Sequence, residues 1–175
     1  MLTRAGASYD PSKVRLEFEL QSREKILTCA YKVYGDDTWS FWLGKTVIKN
    51  MGKIPVYDLK LSYRVIGYTD WTSNDTYPEI IPGQTMRDFY YPVFAGEKVM
   101  GITTRTPAEF VIKHEYRGLS KPVEERHKIF FLGRNDYTFS SLREEDKVTA
   151  ADRDENYPFV AAFCTPNEET TKSFA

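Results

Sequence analysis

The chain is poor in the residues that usually announce chemistry. Its 175 residues contain only two cysteines, Cys29 and Cys164, and two histidines, His114 and His127. Two cysteines neither form a disulfide framework nor supply the thiolates of a structural zinc site. Two unpaired, buried thiols are the simplest reading. No apolar run approaches a membrane span, so no membrane insertion is expected. The N-terminal "MLTRAGASYDPSKV" has no apolar signal-peptide core, so any export signal is expected to be absent or already removed. The net charge of −1 provides no field toward nucleic acid, and Lys and Arg alternate with Asp and Glu rather than forming a basic patch. A nucleic-acid partner is therefore not expected. No internal repeat, low-complexity segment or long amphipathic helical pattern interrupts the chain.

What the chain does have is aromatic residues, 15% of the total, which favour sheet. In "VRLEFELQ", Val14, Leu16, Phe18 and Leu20 fall on one face and Arg15, Glu17, Glu19 and Gln21 on the other, the period of a half-buried strand. "ILTCAYKVYG" repeats the pattern, with Leu27, Cys29, Tyr31 and Val33 inward, before Gly35-Asp36-Asp37 breaks it. "TWSFWLGKTVIKN" reads as one or two strands with a kink at Gly44. Asn50-Met51-Gly52-Lys53 then supplies turn residues and Pro55 bars a continuous ladder, so a corner precedes the long strand carrying Tyr57, Leu59, Leu61, Tyr63 and Val65.

"YTDWTSNDTYPEIIPGQT" reads as a long polar loop ending in the Pro82-Gly83 turn. "MRDFYYPVF" reads as an edge strand, because Pro92 cannot donate to a ladder. "KVMGITT" follows, then "AEFVIKHEYRG" with Phe110, Ile112, His114 and Tyr116 on one face, and "HKIFFLGRN" is the last clear strand. Seven to nine strands joined by turns indicate an all-β, immunoglobulin-like antiparallel β-sandwich over residues 1–135. Its core should include Leu16, Phe18, Leu59, Leu61, Ile112 and Phe131. Residues 136–175 read as a charged extension, packing back on the sandwich and leading toward a following domain. It should contain short helical segments, with capping boxes at Ser141/Glu144 and, with Pro166 at the first helical position, at Thr165/Glu168.

The segments "VIKNMGKIPVYDLKLSYRV", "IIPGQT" and "AEFVIKHEYRG" resemble immunoglobulin-like or fibronectin-like accessory modules of bacterial multidomain proteins. The later "IFFLGRND" and "AAFCTPNEE" are similar to segments that lead from such a module into a transglutaminase-like or other catalytic domain. The resemblance covers roughly residues 44 to 170 and rests on turn chemistry. It implies a non-catalytic structural or interaction module whose partner is the adjacent domain of the same chain. It also implies an extracellular or periplasmic setting. No catalytic residue carries over.

Three constellations are candidates for a site. Exposed aromatics with neighbouring polar groups stack on sugars, which makes Trp71, Tyr68, Tyr77 and Asn74 the candidate ligand-binding set and a glycan or protein the candidate ligand. Trp39 and Trp42 are either part of that surface or plugs in the inter-sheet core. Asn74-Asp75-Thr76 also fits a glycosylation acceptor. In "ADRDEN", Asp152, Asp154, Glu155 and Asn156 offer oxygens to one calcium ion, without the glycine and distal glutamate of an EF-hand loop. No other cofactor is expected. A cysteine–histidine hydrolase has no supporting motif, since Cys29 sits on an apolar strand face and His114 faces inward, while His127 starts a strand in an exposed position. The expectation is a non-enzymatic interaction module, with a carbohydrate-binding sandwich as the alternative.

Overall fold

Side-chain alternation decides the first sheet. Gly44–Asn50 (β3) buries every second residue, Leu16–Ser22 (β1) half-buries Leu16, Phe18 and Leu20 in the same alternation, and Thr85–Tyr90 (β6) closes the set with Asp88 and Tyr90 buried. A computed structural model of the protein describes residues 9–30, 42–72, 75–138 and 142–147. The remaining strands form a second sheet: Lys25–Ile26 (β2), Val56–Val65 (β4), Asp75–Ile80 (β5), Thr106–Glu115 (β7) and Val123–Phe131 (β8). The strand orders are β1-β3-β6 and β2-β8-β7-β4-β5. All pairings are antiparallel except β2 with β8. The protein is thus a mostly-β, two-sheet sandwich.

The core lies between the sheets. Leu59, Leu61, Tyr63 and Val65 from β4 meet Phe110 and Ile112 from β7, Ile129 and Phe131 from β8, and Ile48 and Tyr90 from the first sheet. Leu16 and Phe18 are only partly buried, because β1 is the outer strand of a narrow sheet. Phe18 meets the His114 ring at 4.2 Å. The Tyr63, Tyr90 and Phe110 rings lie nearly parallel, with centroids 5.1 Å apart for Tyr63–Tyr90 and 5.5 Å for Tyr90–Phe110. Gly44 is what admits this stack. A Cβ there would stand 2.6 Å from Phe110 Cζ, so the glycine allows close approach and does not mark a kink.

The corner between β3 and β4 is pinned by Asn50, which is fully buried. Its Nδ2 donates to the Ile54 and Ile80 carbonyls and its Oδ1 accepts from Gly52 N–H, each at 2.9 Å. Its backbone N–H donates to Gln84 O and its carbonyl accepts from Gly83 N–H. One side chain thus ties the β3–β4 corner to the β5–β6 turn, where Gly83 adopts a positive φ of 79°.

Several segments depart from the sequence reading. The strand expected through Leu27, Cys29, Tyr31 and Val33 ends at Ile26; a 3₁₀ turn at Thr28–Ala30 follows, and residues 31–41 lie outside the described residues. Thr28 explains the change: its hydroxyl donates to Leu132 O at 2.6 Å, a local bond that competes with a ladder. The long loop contains strand β5, which Pro78 disguises. Gly96–Met100 forms a short helix (α1) with Val99 buried. At the C-terminal side a 3₁₀ turn spans Glu144–Asp146 with Arg143, not Ser141, at its cap. This segment rests on β1: Leu142 bridges Arg23, and the Arg143 guanidinium donates to Leu20 O at 3.3 Å. The Thr165/Glu168 capping box lies outside the described residues.

Two substitutions test this account by urea unfolding. Leu61→Ala should cost about 2–5 kcal/mol, as for other fully buried leucines. Asn50→Ala strands two carbonyls and an amide at the corner and should cost about 3 kcal/mol, the upper part of the range for buried unsatisfied groups. A loss below about 1 kcal/mol in the second would show that the corner does not depend on Asn50.

Candidate functional site

The aromatic set chosen from sequence is not one surface. Tyr68 packs its ring on Phe131 at 4.2 Å and belongs to the margin of the core. Tyr77 points between the sheets, where its hydroxyl donates to Asp88 Oδ1 at 2.7 Å. Asn74 lies outside the described residues. Trp71 alone lies on an outer face. Thr72 is held beside β4 by its N–H to Tyr63 O and by Tyr63 N–H to its hydroxyl, both 3.0 Å. From there the indole extends over β4 to β7, with Arg64 Cζ 4.3 Å and Lys113 Nζ 4.5 Å from its ring centroid. Neither cation has a carboxylate partner among the described residues, and Arg64 Nε is buried without an acceptor. Two cations thus converge on one half-buried indole, an arrangement that favours a ligand carrying negative charge.

Asp88 is a second tightly held polar group, between the sheets. It is 7% exposed and faces the second sheet from β6, next to Thr46 on β3. Tyr63 donates to its Oδ2 at 2.5 Å and Tyr77 to its Oδ1. Thr46 Oγ lies 3.1 Å from the Tyr63 hydroxyl. Burial, and then the bond to Asp88, push the Tyr63 hydroxyl far above the usual phenol range, so it stays a donor. This cluster is structural: both phenols and the carboxylate satisfy one another.

Among the described residues the exposed aromatics include Phe89 and Tyr91, which the sequence reading did not select. On the outer face of the first sheet Phe89 is 39% exposed and Tyr91 49%, and Val93 beyond them is 67% exposed. Phe89 meets Tyr91 at 6.4 Å and Trp42 at 6.5 Å, and the Arg23 guanidinium covers the Trp42 ring at 4.6 Å. Trp42 is therefore part of an outer surface, not a plug in the core. The signal was present in "MRDFYYPVF", whose two faces both carry aromatics, so one face had to remain outside. At the far end of β4 an open groove is lined by Asp58, Lys60, Glu115, Tyr116, Arg117 and Leu119. Its charges are already paired, Arg117 with Asp58 at 2.7 Å and Lys60 with Glu115 at 3.6 Å.

The candidate calcium ligands Asp152, Asp154, Glu155 and Asn156 lie outside the described residues, as do Trp39 and Cys164. Among the described residues no three His, Cys, Asp or Glu side chains are grouped for a metal, and no helix is long and apolar enough to cross a membrane. Cys29 is fully buried and makes no disulfide. His127 corrects the sequence reading. It lies inside β8 opposite Phe110, not at an exposed strand start, with Nε2 3.7 Å from Glu125 Oε2, too far for a hydrogen bond. No protein-family model and no curated protein matches the chain.

Both histidines have a testable consequence. Burial lowers the pKa of His114 and of His127, opposed in each case by the Glu125 carboxylate and, at His127, reinforced by Arg143. The unfolded chain therefore binds protons first as pH falls below about 6.5, the ordinary histidine value. Stability should be full above that pH and decline below it, toward the depressed folded values. Urea unfolding between pH 7.5 and 5.5 should show this decline, and the double variant His114→Phe/His127→Gln should flatten it. An unchanged slope would assign the decline to other groups.

Proposed function

We propose that the chain is a non-catalytic interaction module of the immunoglobulin-like class, working beside another domain of a larger protein. The strand orders support the class: β1, β3 and β6 stand as the A, B and E strands of such a sandwich, and β8, β7 and β4 as G, F and C. The observation that carries the interaction role is the contiguous exposure of Phe89, Tyr91 and Val93. Aromatic side chains outside a core supply most of the energy of interaction surfaces, and this strip is the place where an adjacent domain docks. Hydroxyl-radical footprinting tests it. Phe89 and Tyr91 should be labelled several-fold more slowly in the longer natural chain than in residues 1–175, and Tyr91→Asp should remove the difference. Equal labelling would overturn the docking.

The convergence of Arg64 and Lys113 on Trp71 favours a second reading, a carbohydrate-binding sandwich recognising an acidic glycan. A glycan array followed by titration of intrinsic fluorescence tests it. Saturable quenching by uronate-bearing glycans, lost in Trp71→Ala and weakened by Arg64→Gln, is the expected result. Silence across the array sinks this reading and leaves the first.

A further inference from the structure

Among the described residues, the backbone of β6 has one side in use and one side open. Asn50 N–H donates to Gln84 O and Leu43 N–H to Tyr90 O, so the even-numbered residues of this stretch turn their backbone groups toward β3. The odd-numbered Thr85, Arg87 and Phe89 turn theirs the opposite way, to the free edge of the first sheet, where no described residue hydrogen-bonds them. The other sheet edges are protected by familiar means. β5 carries Pro78, and β2 is two residues long. The Leu20 carbonyl on the edge of β1 accepts from Arg143. β6 has no proline within it and, among the described residues, no segment covering its edge; its protection is limited to the charges of Arg87 and Asp88.

We propose that β6 pairs antiparallel with β6 of a second copy of this chain, joining two three-stranded sheets into one six-stranded sheet about a two-fold axis. The inference rests on the same aromatic strip as the docking reading, but it uses the strand edge and names a different occupant. An antiparallel pair of identical strands is self-complementary by symmetry, so a second copy brings the matching edge without further design.

The side chains select the register. With Arg87 on the axis, two guanidinium groups stand opposite each other. With Asp88 on the axis, two buried carboxylates meet across the non-hydrogen-bonded position, where strands approach most closely. With Phe89 on the axis, the Phe89 rings of the two copies pair, and each Arg87 faces Tyr91 of the other copy, a cation–π contact at a cross-strand position. Tyr91 precedes Pro92, which favours the extended backbone this register needs. The Phe89-centred register is the only one of the three without opposed like charges.

Sedimentation velocity across a concentration series tests the pairing. Dissociation on the order of micromolar is expected for an edge contact of this kind. Amide exchange adds a signature that follows strand parity: protection of Thr85, Arg87 and Phe89 should rise with concentration, while Met86, Asp88 and Tyr90, already in the β3 ladder, should not change. Arg87→Pro removes an edge-facing N–H that the fold does not use, and Phe89→Lys places two ammonium groups on the axis. Both variants should keep the wild-type circular dichroism and be monomers. If Arg87→Pro fails to fold, Phe89→Lys and the alternating exchange pattern still decide. A wild-type chain that stays monomeric at about 100 µM, roughly a hundredfold above a micromolar midpoint, overturns the proposal, as does a dimer that survives both variants. A monomer whose Phe89 and Tyr91 are shielded in the longer chain removes the dimer and leaves docking. A dimer without that shielding does the reverse.

Discussion

One carboxylate connects four strands. Asp88 belongs to β6, Thr46 to β3, Tyr63 to β4 and Tyr77 to β5, and their polar atoms meet between the sheets. A buried charge without a counter-ion is expensive, and Asp88 makes no ion pair with a described residue. Hydrogen bonds from two phenols replace the lost water. The Tyr63 hydroxyl holds its proton firmly and so remains a donor, and the geometry is fixed: two phenols, one on each oxygen. Since one donor comes from each of β4 and β5, the sheets cannot slide over each other without breaking the pair. The Tyr63 ring is thereby held flat against Tyr90 and Phe110, and the position of the aromatic stack follows from the polar clamp.

That arrangement divides the aromatics into two populations. Tyr63, Tyr77, Tyr90, Phe110 and Phe131 are committed to the interior, and Tyr68 and Phe94 close its margin against Phe131. Trp42, Phe89 and Tyr91 face outward on the first sheet, and Trp71 lies on the outer face of the second. The two outer groups differ in character. The first is an apolar strip bordered by Arg23, suited to a protein surface. The second is one indole between two cations, suited to an anion. Among the described residues, the exposed rings therefore lie on the outer faces of the sandwich and not between its sheets.

Much of the fold was legible from period two. Leu59, Leu61, Tyr63 and Val65 of β4 and Phe110, Ile112 and His114 of β7 lie inward as the alternation requires, and the Asn-Met-Gly-Lys corner is where the turn chemistry puts it. Tyr57 does not follow: Val56 is buried in its place, beside Asp58 with its positive φ of 55°, and the Tyr57 ring meets Tyr9 and Arg117. The misses have particular causes. Pro78 concealed β5, because a proline in a strand is tolerated where the strand is an edge and no ladder partner needs its N–H. The strand after Ile26 was lost to a side-chain hydrogen bond from Thr28 that no pattern of hydrophobicity records. His127 looked exposed because its neighbours are charged, yet the pairing with Phe110 turns its ring inward. The candidate site was less legible. Tyr68, Trp71 and Tyr77 are close in sequence, but a crossing from loop to strand separates them in space, and each meets a different partner. Aromatic content indicates that rings need burial or contact, and only the topology decides which.

The orientation of β6 shows how a polar group can settle a choice that hydrophobicity leaves open. One face of this strand carries Met86, Asp88 and Tyr90, and the other carries Arg87, Phe89 and Tyr91. Each face has one charged residue, and by apolar content the second is at least as fit for the core. A one-residue slip would exchange them completely. The difference lies in what the charged group can find between the sheets. A carboxylate has two oxygens that accept, and Tyr63 and Tyr77 supply a donor for each. A guanidinium at the same place carries five donors and would meet hydroxyl groups that cannot satisfy them all. Asp88 can be buried there and Arg87 cannot. The clamp that holds the sheets together thus also turns Phe89 and Tyr91 to the outside, and the surface available for binding is a consequence of the interaction that makes the core.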